Sequence, residues 1–213
     1  MPQRLRVALA LFCIAVFALL ALQVRLHGPM LELDQAASHW FAAHRDAALT
    51  RAMLLVSSVH QTGKLLAFSA LLAAALALRR GLAAARPLLV VPLGMLLNLG
   101  LKDLFQRTRP VLQDPLVQIA TYSFPSGHAV ASTVFYGALC VLVFAHTRSR
   151  AARAAACAVA VTMVLLVCFS RVYLGAHFPG DVLAGVAVGT LCLLLSFRPW
   201  SRPARRAPGL PSR

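Results

Sequence analysis

The sequence predicts an all-α membrane protein with six transmembrane helices and an interfacial amphipathic helical segment between the first and second spans. Three observations carry this. The chain has 213 residues and is 60% hydrophobic, above the ~45–50% apolar share of an ordinary globular domain. Its mean hydropathy is +0.75. Several apolar runs approach the roughly 20 residues a helix needs to cross ~30 Å of hydrocarbon, and they are rich in Ala and Leu without the alternation of barrel strands.

The first span is residues 7–24, preceded by Arg4 and Arg6. It is longer than the ~7–15-residue apolar core of a cleavable signal, and no small-residue cleavage site follows, so it reads as a span. Residues 25–63 are mixed and hold Glu32, Asp34 and Asp46, three of the six acids. Here Trp40, Phe41, Leu49, Met53 and Leu54 suggest a helix lying in the interface with Trp40 as an anchor. His27, His39, His44 and His60 follow no metal-ligand spacing and read as solvated or interfacial. The second span, 64–78, stops at Arg79 and Arg80. Pro87 suits a helix start and opens the third span, 87–102. At 1.5 Å per residue that span brings Lys102 out on the far face. The fourth span, 127–146, starts at a Pro-Ser-Gly turn, the fifth is 154–170 and the sixth is 179–197. Residues 1–200 read as one domain, and 201–213 as a disordered basic tail.

The 21 basic residues against six acidic ones give a net charge of +15. Thirteen of them (Arg4, Arg6, Arg79, Arg80, Arg86, Arg148, Arg150, Arg153, Arg198, Arg202, Arg205, Arg206 and Arg213) fall on one face of a six-span chain. By the positive-inside rule both termini and the tail are cytoplasmic. Charge clustered beside apolar runs marks topology and anionic headgroups, not a nucleic-acid footprint. Cys13, Cys140, Cys157, Cys168 and Cys192 all lie in apolar runs without a CxxC, and read as small hydrophobes.

With six spans, Lys102 closes the third helix, Ser126 to His128 open the fourth, Arg171 closes the fifth and His177 to Asp181 lead into the sixth. Helix counting alone puts all four places on one face, and the arginine distribution makes that face the extracytoplasmic one. Ionisable residues at the edge of hydrocarbon are a functional-site hypothesis by default. Lys102, Arg109 and Arg171 want an anion, and guanidinium forks match phosphate oxygens in pairs. Ser126 and Gly127 add a hydroxyl, free backbone N–H groups and the positive end of a helix. His177 precedes Asp181 by four residues, so an Asp in the first helical turn can fix the imidazole tautomer and leave the other nitrogen free to attack. His128 can then give a proton to a leaving alkoxide. Asp103 and Asp114 read either as solvated charges balancing the local arginines or as contributors to substrate choice, Arg107 as a contact to the headgroup region, and Asn98 as a hydrogen bond to a neighbouring helix.

Lys102-x6-Arg109-Pro110, Pro125-Ser126-Gly127-His128 and Ser170-Arg171-x5-His177-x3-Asp181 together resemble the three signature motifs of the type 2 phosphatidic acid phosphatase (PAP2) family. The resemblance reaches from the second span through the sixth, with every signature position filled. It implies a bacterial membrane phosphatase that needs no metal or other cofactor and works through a phosphohistidine. His177 would be the nucleophile, Asp181 its orienting partner and His128 the general acid and later base. Lys102, Arg109, Ser126, Gly127 and Arg171 would hold the phosphoryl oxygens. The implied partners are the bilayer and a lipid phosphate, with no nucleic acid. Undecaprenyl diphosphate leads the substrates, beside phosphatidylglycerophosphate, phosphatidic acid and a lipid A phosphate. The competing readings are a transporter or non-catalytic membrane protein whose basic cluster docks an anion, and a soluble-substrate phosphatase or vanadate-haloperoxidase-like activity.

Overall fold

The computed structural model describes residues 2–117 and 119–197. The expected tail, 201–213, lies outside the described residues. Among the described residues six helices are long and apolar enough to span a membrane: α1 (Gln3–Leu26), α4 (Thr62–Arg80), a third span within Leu82–Phe105, α7 (Gly127–His146), α8 (Arg150–Tyr173) and α9 (Pro179–Ser196). Two shorter helices, α2 (Met30–Ala43) and α3 (Ala47–Val59), fill the segment between the first two spans. The chain is a multi-pass membrane protein, and all five cysteines sit in its helices as free thiols.

The third span starts differently from the expectation. One helical turn, α5 (Leu82–Ala85), runs into a 3-10 turn (Arg86–Leu89) that contains Pro87, and the α-helix proper is α6 (Val90–Phe105). Pro92 has no N–H to give the carbonyl of Leu88 four residues earlier. That carbonyl takes the Ser69 hydroxyl of α4 instead, at 3.5 Å.

Helices α7 and α9 form the buried centre, with α1 packed on α9 and α4, α6 and α8 around α7. Small residues let the central pair approach closely. A Cβ on Gly185 would fall 2.7 Å from the Ser126 carbonyl and 2.8 Å from the Ala129 Cβ, and one on Gly189 would fall 2.7 Å from the Thr133 Cβ. Gly185-x3-Gly189 is therefore a small-residue contact of the kind that joins membrane helices. It brings the first turns of α7 and α9 together, and Ser126 N–H donates to the Asp181 carbonyl at 3.0 Å. Phe17, Phe105 and Phe124 cluster around the strand of chain leading into α7, with Phe124 fully buried.

The interfacial segment turns a polar side inward. Asp34 and Ser38, one turn apart on α2, are buried, while Leu33 and Trp40 are exposed. Helix α3 is capped by Asp46, whose Oδ1 accepts Leu49 N–H at 2.8 Å. It is fastened to the end of α8 by Tyr173, whose hydroxyl accepts Asp46 N–H at 2.9 Å. His60, expected in solvent or at the interface, is buried at the end of α3. Its Nε2 lies 2.8 Å from the Tyr136 hydroxyl of α7, a partner that no local sequence signal indicates.

Candidate active site

The ends of α6, α7, α8 and α9 meet at one end of the bundle, where loop residues 106–117 and 119–126 fold over them. Asp181 is at the centre and has no exposure. Pro179 occupies the first turn of α9, and Asp181 reaches back so that Oδ2 accepts Phe178 N–H at 3.0 Å. The same oxygen accepts the Ser123 hydroxyl and lies 3.4 Å from His177 Nδ1. Asp181 Oδ1 accepts Arg107 Nη1 at 2.7 Å.

His177 is 2% exposed. The turn that holds it is fixed through main chain: the Arg171 carbonyl accepts Ala176 N–H at 3.0 Å and His177 N–H at 3.2 Å. Arg109 Nη1 donates to His177 Nε2 at 3.2 Å, so Nε2 carries the lone pair and Nδ1 carries the proton on the Asp181 side. Burial pushes the His177 imidazole down from 6.5 to about 3; Asp181 draws it upward, while Arg109 and Arg171 draw it down. The ring is thus neutral across ordinary pH.

The cations surround this pair. Lys102, buried at the end of α6, donates to the carbonyls of Tyr122 and Ser123. Arg109 donates to the Thr121 carbonyl at 2.7 Å, the Ala176 carbonyl at 2.5 Å and the Tyr122 carbonyl at 3.1 Å. Burial lowers its pKa, and Asp181 opposes the shift. Arg171 is 2% exposed. Its Nη1 donates to the Ser57 hydroxyl of α3, and its Nε and Nη2 take no partner among the described residues. His128 Nε2 is likewise buried and unpartnered. Ser126 caps α7, its hydroxyl accepting Ala129 N–H at 3.5 Å. Gly127 begins the helix, where a Cβ would sit 3.2 Å from Asn98 Oδ1. Asn98 Nδ2 donates to the Pro125 carbonyl at 3.2 Å, so it holds the turn before α7.

Every residue expected at the site is therefore at this end of the bundle. Three further side chains join them. Arg107 does not reach the headgroup region as expected: it is buried, bonded to Asp181 on one side and at 2.8 Å to Asp34 Oδ2 on the other. Asp34 belongs to the site as well, although as one acid in an amphipathic run it gave no local sign of this. Ser123 is the third, fully buried in the loop and bonded to Asp181. Asp103 and Asp114 are exposed. Among the described residues no group of three or more His, Cys, Asp or Glu side chains is arranged to hold a metal ion.

Buried cations face an imidazole–carboxylate pair where four of the membrane helices end. Residues 83–203 match the PAP2 superfamily, and the chain belongs to that family. It is 37% identical over 109 residues to phosphatidylglycerophosphatase B of Bacillus subtilis strain 168, covering 51% of this chain and 53% of that protein. It is 34% identical over 105 residues to human sphingosine-1-phosphate phosphatase 2, covering 47% of this chain and 26% of that protein. The chain thus matches about half, or less, of the length of these relatives. Over most of its length it resembles the crystal structure of a transmembrane PAP2-type phosphatidylglycerolphosphate phosphatase from Bacillus subtilis. The TM-score is 0.75 at 29% identity, covering 90% of this chain and 93% of that one. It also shares its fold with LpxE of Aquifex aeolicus, at TM-score 0.58 and 24% identity over 78% of this chain and 93% of that one.

Proposed function

We propose that the chain is a metal-independent lipid-phosphate phosphohydrolase that works at the extracytoplasmic face through a phosphohistidine. The observation that carries this is the state of His177. Its Nδ1 is turned to Asp181 and its Nε2 lone pair to Arg109, beside the unpartnered nitrogens of Arg171 and His128. A neutral imidazole with an oriented tautomer is a competent nucleophile.

In the first step Nε2 of His177 attacks phosphorus and the bond from phosphorus to the lipid oxygen breaks. Protonated His128 gives its proton to the leaving oxygen, an alkoxide for a lipid phosphate and a phosphate for a lipid diphosphate, and the His177 Nδ1 proton stays against Asp181. In the second step neutral His128 takes a proton from water, the water oxygen attacks phosphorus, and the N–P bond breaks to release inorganic phosphate. Arg109, Arg171 and Lys102 donate to the phosphoryl oxygens as their charge grows, with the Ser126 hydroxyl and the free N–H groups at the start of α7. Lys102 and Arg109 exchange their loop carbonyl partners for phosphate. Phosphoryl transfer asks for little beyond such positioning and charge stabilisation.

The names of the relatives support phosphatidylglycerophosphate and related lipid phosphates as the substrate class, with undecaprenyl diphosphate and phosphatidic acid as further members. The headgroup enters at the end of the bundle while its chains stay in the bilayer. The arginine distribution supports cytoplasmic termini and an extracytoplasmic site.

The test is phosphate release from detergent-solubilised lipid phosphates with EDTA present, alongside trapping of an acid-labile phosphoenzyme. Activity and label are expected in the native protein and absent from His177→Ala. A requirement for added divalent metal, or full turnover in His177→Ala, overturns the mechanism. Anion binding without phosphate release would instead point to the docking or transport reading.

A further inference from the structure

Asp34 stands outside all three motifs, on a helix that does not span the membrane, yet it is 3% exposed and fully engaged. Its Oδ2 accepts Arg107 Nη2 at 2.8 Å, and its Oδ1 accepts Gly180 N–H at 2.9 Å. Arg107 Nη1 in turn donates to Asp181 Oδ1 at 2.7 Å, and the guanidinium carbon lies 4.1 Å from the centre of the Phe178 ring. One planar cation therefore joins a carboxylate of α2 to the carboxylate that faces His177. We infer that Asp34 and Arg107 are positioning residues for the His177–Asp181 couple, a strut from α2 that fixes the rotation of the Asp181 carboxylate. The inference rests on the phosphohistidine reading of the site.

The geometry gives the strut its work. Asp181 Oδ2 is shared by Ser123, the Phe178 N–H and the imidazole, whereas Oδ1 has Arg107 as its one donor among the described residues. Without that donor Oδ1 would be a buried, unsatisfied carboxylate oxygen, which is costly. Rotation of the carboxylate to find another donor would draw Oδ2 away from His177 Nδ1, and the ring would lose its fixed tautomer. Arg107 is flat and rigid in its fork, and Asp34 holds the nitrogen opposite. Asp34 also takes one of the free N–H groups in the first turn of α9, so it tethers the helix that carries Asp181 a second time. A Cβ on Gly180 would fall 2.8 Å from Asp34 Oδ2, which measures how closely the two approach. A buried ion pair is a weak net source of stability, and orientation is what this one supplies. It also makes the site dependent on the docking of α2.

The experiment uses the full chain in detergent or nanodiscs, with Asp34→Asn, Arg107→Gln, Gly180→Ala and the double variant of the first two. Asp34→Asn keeps the shape but turns an amide toward Arg107. Displacement of Asp181 from the imidazole should lower kcat about tenfold or more with KM within about twofold. Inhibition by vanadate, which mimics the five-coordinate phosphoryl group, should weaken in parallel, while inhibition by inorganic phosphate should hardly move. Gly180→Ala, which pushes the carboxylate aside without altering its charge, should reproduce the pattern and decides the matter if Asp34→Asn fails to insert. The double variant should lose no more than its worse parent, because both act through one carboxylate. A native kcat in Asp34→Asn and Gly180→Ala overturns the inference, as do a raised KM at unchanged kcat or losses that multiply in the double variant. Absence of an acid-labile phosphoenzyme in the native protein is a separate result: it refutes the phosphohistidine reading, and the strut with it.

Discussion

Arg171→Lys separates a phosphate clamp from a helix-end anchor. Arg171 has no carboxylate partner among the described residues, one hydroxyl partner in Ser57, and two buried guanidinium nitrogens, Nε and Nη2, with none. Its carbonyl, not its side chain, holds the turn that carries His177, so the substitution leaves that turn in place. Lysine keeps the charge but presents a single point of donation instead of a fork. At least one charge-assisted hydrogen bond to the phosphoryl group is lost, worth about 1.5–3 kcal/mol. At 1.36 kcal/mol per tenfold, kcat/KM should fall roughly 10- to 150-fold. The assay is initial-rate phosphate release from a solubilised lipid phosphate, with thermal unfolding measured on the same preparation. A kcat/KM within about threefold of native would refute the clamp, and Arg171 would then be only a buried end to α8.

Three other perturbations test the scaffold and the state of the site. Gly185→Ala forces a methyl into the α7–α9 contact, where 2.7 Å separates its Cβ position from the Ser126 carbonyl; it should cost about 1–3 kcal/mol of stability and reduce activity. Gly100→Ala on α6, where nothing lies within 4 Å, should be neutral or stabilising, and equal melting temperatures for the two would sink the close-packing argument. Tyr136→Phe removes the partner of His60 Nε2 and should lower stability by about 1–3 kcal/mol with kcat unchanged; an unaltered unfolding curve would mean that the pair contributes nothing. The last concerns pH. The His177 imidazole sits at about 3 in the fold against an ordinary 6.5, so the unfolded chain takes up its proton first. Stability should therefore fall as pH drops from about 6.5 toward 3 and be insensitive to this residue above that range. His177→Asn should flatten that part of the profile, and parallel profiles for the two proteins would show that the ring is not held neutral.

The helical spans are legible because each is a long apolar run with few charges, a signal that needs no tertiary information. The sidedness of the site is legible for a related reason: parity of spans decides which helix ends share a face. What the sequence does not display is the second partner of each site residue. Asp34 and Gly180 are 146 positions apart, and nothing near Asp34 separates a buried carboxylate from a solvated one on an amphipathic helix. Arg107 lies two residues from Arg109 in the same polar stretch, but the path of the loop sends one guanidinium to two carboxylates and the other to carbonyls and an imidazole. His60 has its partner on another helix, 76 positions away. Gly185 and Gly189, four apart in an apolar helix, carry a readable signal for close packing, although only the structure identifies α7 as the surface they meet.

The charges themselves argue for an anionic substrate. Lys102, Arg107, Arg109 and Arg171 crowd one end of the bundle against two carboxylates, Asp34 and Asp181, and Arg107 bridges both of those. The other three cations donate to carbonyls, two hydroxyls and an imidazole. Neutral partners satisfy a donor without cancelling its charge, and Lys102 and Arg171, at 7% and 2% exposure, are buried. Snorkelling at a helix end would leave the charged heads wet, which excludes it for these two. In a medium of low effective dielectric, like charges held this close repel strongly. An anionic ligand would relieve that repulsion and could supply acceptors of its own. A neutral ligand would take the same hydrogen bonds and leave the repulsion untouched, so the charges of the free protein favour an anion over a neutral ligand.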